Sequence, residues 1–188
     1  MRGASATNQS ILGFIVIGIR LKLSPFRLAA KMLNMTVIAF GTISSAVTLP
    51  IAMEDTKKRI GCDPDIADLL LPLGMPLNSN GVAVHLAVTA LTIAQMYGIF
   101  FGVGQLINVW LISFMLSFCN AVSPGVSLLS MTMLIPALNL PMASIGIFGG
   151  LEYPTGAIRT TLNVDGDVFA ALLVAGPDGI DHEVFDAD

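Results

Sequence analysis

The sequence predicts an all-α membrane protein whose apolar segments are broken midway instead of running as uninterrupted spans. Three observations support this. Apolar residues make up 54% of the chain and charged residues only 12%, with a mean hydropathy of +0.80; a soluble domain carries about 25% charge. The charges are also segregated. Arg2, Arg20, Lys22, Arg27 and Lys31 are joined by no acid over the first 31 positions, and positions 69–151 hold no Asp, Glu, Lys or Arg. Finally, the apolar runs are interrupted by clusters of Ser, Asn, Gly and Pro. Broken backbone at membrane depth survives only when buried in protein or lining a cavity. Repeated breaks therefore predict re-entrant hairpins and discontinuous helices, on which secondary transporters build their sites.

The elements follow in order. Residues 1–27 read as a partial transmembrane helix with a basic cytoplasmic segment. Its apolar stretch, Ile11–Ile19, is about half the ~20 residues a span needs. No A-x-A-like site follows it, so it does not read as a cleavable signal. The positive-inside rule places this basic cluster, and Lys57-Lys58-Arg59, on the cytoplasmic side. Residues 28–58 read as a first re-entrant hairpin, because Gly41-Thr42-Ile43-Ser44-Ser45 interrupts the run Leu28–Ala52. Residues 65–101 read as a broken transmembrane helix: Ile66–Leu77 stops at Asn78-Ser79-Asn80-Gly81, and Val82–Phe101 resumes. Residues 104–139 read as a second re-entrant hairpin, interrupted between Asn120 and Gly125. Residues 141–175 read as the final transmembrane helix and 176–188 as an acidic tail, whose side its charge does not fix. Hairpin then helix, twice over, is the symmetry of an inverted-repeat transporter core.

Several function classes are excluded or disfavoured. The basic clusters are short and flank apolar runs, which suits membrane phosphates better than nucleic acid. Cys62 and Cys119 show no metal spacing and are too few for a disulfide scaffold. The sequons at Asn8 and Asn34 fall beside or inside cytoplasmic or membrane segments and are expected to go unused. No Ser/His/Asp arrangement, Glu-x-x-His pair or HExxH motif suggests an enzyme.

Arg159 is the sole basic residue beyond position 60. If its segment is helical, Arg159, Asn163 and Asp167 fall at i, i+4 and i+8 and form one polar stripe. A guanidinium in hydrocarbon costs roughly 3 kcal/mol or more, so intramembrane ionisable groups mark functional sites by default. A carboxylate ligand, held by two parallel hydrogen bonds, suits a guanidinium fork. The alternative is a structural Arg–Asp pair, with Asp167 as the partner. Asn78 and Asn80 are open between a ligand role and simple turn-making. Asp165 is expected to be solvated near the helix end. A lone His on an apolar helix, as at His85, reads as a hydrogen-bonded packing residue.

At these residues the sequence resembles the dicarboxylate/amino acid:cation symporter family, which includes the glutamate transporters. Ser44-Ser45-Ala46-Val47-Thr48-Leu49-Pro50 is similar to the family's serine-rich hairpin tip. Leu71-Pro72-Leu73-Gly74 with Asn78-Ser79-Asn80-Gly81-Val82 resembles its L-P-L-G and N-M-D-G-T signature. Ser123-Pro124-Gly125 resembles the turn of the second hairpin, and Arg159-Thr160 through Asp167 resembles R-T-x-x-N-V-x-G-D. The resemblance covers roughly residues 20–175.

The resemblance implies trimers whose transport domain carries substrate by an elevator motion. It implies that this sequence corresponds to the C-terminal part of a protomer: a truncated member, a fragment, or a piece of a larger protein. By resemblance, Arg159 binds a substrate carboxylate; Ser44 and Ser45 hold the other; Thr160 and Asn163 add polar contacts. The tip at Ser123, Pro124 and Gly125 acts as the gate. Gly74, Asn78, Asn163 and Asp167 resemble a complete site for sodium, the coupling ion, whose hardness suits oxygen ligands.

Departures from the pattern are informative. Asn80 replaces the acid of N-M-D-G-T and removes the charge from a second sodium site. Ser79 and Val82 replace its methionine and threonine. Pro76 stands where a family threonine offers a hydroxyl, and Ala46 and Ser127 replace a hairpin serine and a gate glycine. Gly156 stands where amino-acid transporters carry the aspartate that pairs a substrate amino group, which favours a C4-dicarboxylate over glutamate or aspartate. Glu152 retains an acid one turn earlier. The expectation is a sodium-coupled symporter of dicarboxylates or acidic amino acids, multi-pass in the plasma membrane. The alternative is a transport-inactive paralogue that assembles with a full-length relative.

Overall fold

The computed structural model describes residues 2–118 and 126–187, with side chains described from residue 12 onward and, after the gap, from 128 onward except at 147. The regular elements there are helices: α1 (Arg2–Leu21), α2 (Pro25–Thr42), α3 (Ser45–Lys58), α4 (Pro64–Leu77), α5 (Asn80–Met96), α6 (Val103–Phe118), α7 (Val126–Ala137), α8 (Ser144–Gly149), α9 (Glu152–Ala175) and α10 (His182–Asp186), with a 3-10 turn at Pro177–Gly179. Among the described residues strand geometry is limited to one isolated bridge, Cys62 to Ile180. Among the described residues one helical run, Pro64–Met96, is long and apolar enough to cross a membrane.

Local chemistry sets the boundaries. Ser24 and Asp63 stand as N-caps before prolines at the first helical positions of α2 and α4, where a missing N–H costs nothing. Asp63 Oδ1 accepts from Asp65 N at 2.9 Å and Ile66 N at 3.2 Å. α2 ends where Ile43 enters the left-handed region at φ 52°, a strained choice for a β-branched residue. Ser44 then caps α3, its Oγ accepting from Val47 N at 3.4 Å. Pro72 and Pro76 lie inside α4. Each removes an i→i−4 bond and leaves a carbonyl without its helical donor, so α4 approaches its end already loosened. It stops at Asn78, and α5 restarts at Asn80.

α9 is the axis of the molecule, packing against α1, α2, α3, α4 and α5. One core joins α1–α4 to its C-terminal half through Leu21, Leu28, Met32, Leu71, Val168 and Leu172. A second lies among α5–α8, around Leu86, Ile93, Met131, Leu134 and Phe148. The apolar stretch 141–175 therefore holds two helices, α8 and α9, separated at Gly150-Leu151.

The outer faces are apolar. Leu33, Val37 and Phe40 on α2, and Ile107, Trp110, Met115 and Phe118 on α6, are all exposed. Such a surface belongs in lipid or against other protein. The acidic segment after Gly176 is folded back: Asp181 N donates to Gly61 O at 2.8 Å and Asp63 N to Gly179 O at 2.9 Å. Phe185 is buried, and Arg27 pairs with Asp186 at 2.6 Å. These contacts place the segment on the side of the basic clusters, which its own charge did not decide.

Candidate functional site

Two interruptions of helical backbone meet α9 on its polar stripe. The first is the α4–α5 break. Asn78 Nδ2 donates to the backbone carbonyl of Asn163 at 3.0 Å and to Asp167 Oδ1 at 2.9 Å. Asn78 N donates to Gly74 O at 2.6 Å, and Gly81 N donates to Asn163 Oδ1 at 2.8 Å. Gly74, Asn78, Asn163 and Asp167 thus form one cluster, with Asp167 buried. Close approach requires glycine here. A Cβ on Gly74 would lie 2.5 Å from Asp167 Oδ1, one on Gly81 2.5 Å from Arg159 O, and one on Gly166 2.7 Å from Asn78 Nδ2. Asn80 is exposed and stands outside the cluster; its backbone N donates to Asn78 Oδ1 at 3.4 Å.

The second interruption is the α2–α3 turn. Ile43, beside Ser44 and Ser45, reaches α9 at Gly156, where a Cβ would lie 3.0 Å from Ile43 Cγ2 and 3.6 Å from Arg159 Nη2. The turn therefore comes to α9 one helical turn before Arg159. Arg159 and Thr160 are both buried. Arg159 lines a crevice of about 50 Å³ between α5 and α9, together with Gly81, His85, Thr155 and Leu162. That volume holds a water or two, so a larger ligand requires the site to open. The second tip, with Ser123, Pro124, Gly125 and Cys119, lies outside the described residues, as does the side chain of Ser127.

One expectation from the sequence, a solvated Asp165, is overturned, and the alternative Arg159–Asp167 pair is not formed. The charge partner of Arg159 is Glu152, with Oε1 at 3.3 Å from Nη1, and not Asp167. Asp167 instead accepts from Asn78 across the helix break. Glu152 sits seven residues before Arg159, two turns along the same face. Asp165 is buried, and its Oδ1 lies 3.1 Å from Thr36 Oγ1 on α2. It faces a different neighbour from Asp167, but that neighbour is protein and not solvent. His85 lines the crevice beside Arg159.

The cluster offers hard carbonyl oxygens from the α4–α5 break and from α9, and the carboxylate of Asp167. No group of His, Cys, Asp and Glu suited to a transition metal occurs among the described residues. Beside it lies a buried guanidinium, able to hold an anion, within reach of a helix-capping turn. The arrangement provides adjacent places for a hard cation and for a carboxylate.

The chain belongs to the sodium:dicarboxylate symporter family, whose model matches residues 6–176. Its relatives include excitatory amino acid transporter 2 of Mus musculus and of Homo sapiens, each 33% identical over 151 residues, covering 80% of this chain and 26% of the relative. An excitatory amino acid transporter of Caenorhabditis elegans is 29% identical over 160 residues, covering 85% of this chain and 32% of the relative. The match thus spans about a quarter to a third of the length of these relatives. The family is one of membrane transporters rather than of enzymes.

Proposed function

We propose that the chain carries the substrate and ion sites of a sodium-coupled symporter for small dicarboxylates or acidic amino acids, resident in the plasma membrane and working as a trimer by an elevator motion. One observation carries the reading: the α4–α5 break is seated on α9 so that Asn78 bridges Asn163 O and Asp167 Oδ1 one to two turns from the buried Arg159. The two oxygens converge on one donor, so they also converge on the place a cation would take. Sodium there is ligated by oxygens of Gly74, Asn78, Asn163 and Asp167, while Asn80 is left outside.

Arg159 holds one substrate carboxylate. The re-entrant tip at Ser44 and Ser45 holds the other, using the N-terminus of α3. Thr160 and Asn163 line the same face, and the turn at Ser123, Pro124 and Gly125 closes over the substrate. Gly156 places no acid at the tip, which favours a C4-dicarboxylate over an amino acid. Glu152 occupies the guanidinium between substrates and must share or release it when a carboxylate arrives. Coupling is reciprocal: sodium raises substrate affinity by the factor by which substrate raises sodium affinity.

The test is uptake of labelled succinate and aspartate into vesicles with and without sodium, beside Arg159→Ala. Sodium-dependent succinate uptake that needs Arg159 is the expected result. A preference for aspartate keeps the family role and overturns the inference from Gly156. The second reading is a transport-inactive paralogue that assembles with an active relative. It draws on Asn80 in place of the acid, on Pro76, which offers neither N–H nor hydroxyl, and on the Glu152–Arg159 pair. Absence of all uptake by correctly inserted protein would favour it.

A further inference from the structure

Asp165 lies near the middle of α9, and neither proposed site uses its carboxylate. The residue is 5% exposed. No ion pair among the described residues includes it. Its hydrogen-bond partner there is Thr36 on α2, with Oδ1 3.1 Å from Thr36 Oγ1. Buried charges in proteins are paired or coordinate metals, and an ionisable side chain at membrane depth marks a site by default. We propose that Asp165 and Thr36 hold a monovalent hard cation between α2 and α9, at a site separate from the one around Asn78 and Asp167.

Thr36 Oγ1 also lies 2.9 Å from Met32 O, the carbonyl one turn earlier in α2. A hydroxyl has one proton, so it donates to only one of these two oxygens at a time. When it keeps the carbonyl, the back-bond available to a threonine within a helix, a lone pair of Oγ1 faces a carboxylate oxygen with no proton between them. When it turns to Asp165, a single neutral donor faces an ionised carboxylate with about four acceptor positions. A cation ligated by Oγ1 and the carboxylate removes both shortfalls: Thr36 keeps its bond to Met32 O, and the buried charge is offset. Hard cations take oxygen ligands of this kind. One carboxylate offsets one positive charge, which favours a monovalent ion over a divalent one.

The basic residues of α2 and α9 reach other groups. Arg159 meets Glu152, Arg27 meets Asp186, and Lys31 Nζ donates to the carbonyls of Val184 and Ala187. Asp165 and Asp167 are two residues apart on α9, about 200° around the helix. Asp167 accordingly meets Asn78 at the α4–α5 break, while Asp165 meets α2. Leu33, Val37 and Phe40 are exposed on α2 around Thr36, so the pair lies level with an apolar outer face. From Thr36, α2 runs on to the turn at Ser44, and α9 carries Arg159 less than two turns before Asp165. An ion held between them ties the arm leading to that turn to the helix bearing the guanidinium.

The test follows the thermal midpoint of the full chain in detergent as sodium chloride replaces choline chloride at constant ionic strength. The parent, Asp165→Asn, Asp167→Asn and the D165N/D167N double variant are compared, so cation binding is read whether or not the chain transports. A ligand that binds only the folded state stabilises it, and a hundredfold excess over Kd raises the midpoint of a chain of this size by about 5–10 °C. D167N is expected to keep a sodium-dependent rise of that order, and the double variant to lose it. Asn keeps the shape of Asp165 and donates to Thr36, so the charge is removed with the packing retained. Thr36→Val gives a second route: it leaves the carboxylate, deletes one ligand, and is expected to raise the sodium concentration for the half-maximal shift about tenfold. A sodium response that D167N alone abolishes, or that is unchanged by D165N in the D167N background or by T36V, would overturn the proposal. A midpoint in D167N that rises on acidification in choline and not with sodium would assign Asp165 a proton and overturn the cation.

Discussion

Replacing Glu152 by Gln tests the pairing that holds Arg159 in the absence of substrate. The two side chains are 14% and 8% exposed, and their charged atoms are 3.3 Å apart. Coulomb's law at an effective dielectric of ~20 gives about 5 kcal/mol for unit charges at that separation. Removing one member of a buried pair costs about 3–5 kcal/mol, because the survivor is left buried and uncompensated. Charge-assisted hydrogen bonds are shorter, about 2.7–2.9 Å, so the lower end applies and about 3 kcal/mol is expected. Gln keeps the length and an acceptor and loses the charge. For a chain of this size, about 3 kcal/mol lowers the thermal midpoint by about 6–12 °C. The assay is thermal unfolding of the full chain in detergent, comparing E152Q, R159Q and E152Q/R159Q. The double variant removes both charges, so its loss is expected to fall short of the sum by about 2 kcal/mol. Additive losses, or a midpoint for E152Q within about 3 °C of the parent, would refute the pairing as an energetic unit.

Gly74→Ala places a methyl 2.5 Å from Asp167 Oδ1 and displaces that carboxylate from Asn78. One charge-assisted hydrogen bond contributes about 1.5–3 kcal/mol, so the sodium concentration for half-maximal uptake is expected to rise about 10- to 100-fold; an unchanged sodium dependence would remove Gly74 and Asp167 from the ion site. Gly156→Asp adds an acid near Arg159 Nη2 and Ile43 and is expected to shift uptake from succinate toward aspartate by about tenfold, the value of one such bond. A ratio that does not move, measured by competition between the two labelled substrates, would show that position 156 does not set the choice. Cys62 is 2% exposed, and burial first, then Asp63, pushes its thiol from 9.0 up to about 11. The stability contributed by the neutral thiol is complete below about pH 9 and is lost as pH rises through about 11. In a Cys119→Ser background, maleimide labelling at pH 8 is expected to be slow. It should accelerate at least about tenfold in Phe185→Ala, which loses about 3–5 kcal/mol of packing under the C-terminal segment. Equal labelling in the two proteins would mean that the segment does not cover Cys62.

Much of the Asn78–Asn163–Asp167 cluster was legible in the sequence, and the reason is local. Asn163 and Asp167 share a helix face because they are four residues apart, and Asn78 lies at a break because Pro72, Pro76 and the Asn-Ser-Asn-Gly run cannot sustain a helix. The glycines could be noticed but not explained. Gly74, Gly81 and Gly166 are required by carboxylate, carbonyl and amide atoms that arrive from 78 to 93 residues away in the chain or across it. Asp165 was misjudged for the same reason. Its place on α9 follows from periodicity, but whether that face meets water or Thr36 depends on where α2 packs.

By itself the sequence determined an all-helical membrane protein, the places where its helices break, and the polar stripe on α9, because hydropathy, proline and helical spacing act over a few residues. Only the tertiary structure decided which breaks meet that stripe, that Glu152 and not Asp167 answers Arg159, and that the acidic C-terminal segment folds back onto Arg27 and Lys31. Those outcomes rest on which charged and polar groups end within a few ångströms of each other once the apolar faces are buried. Periodicity assigns a residue to a face, and packing supplies what that face meets.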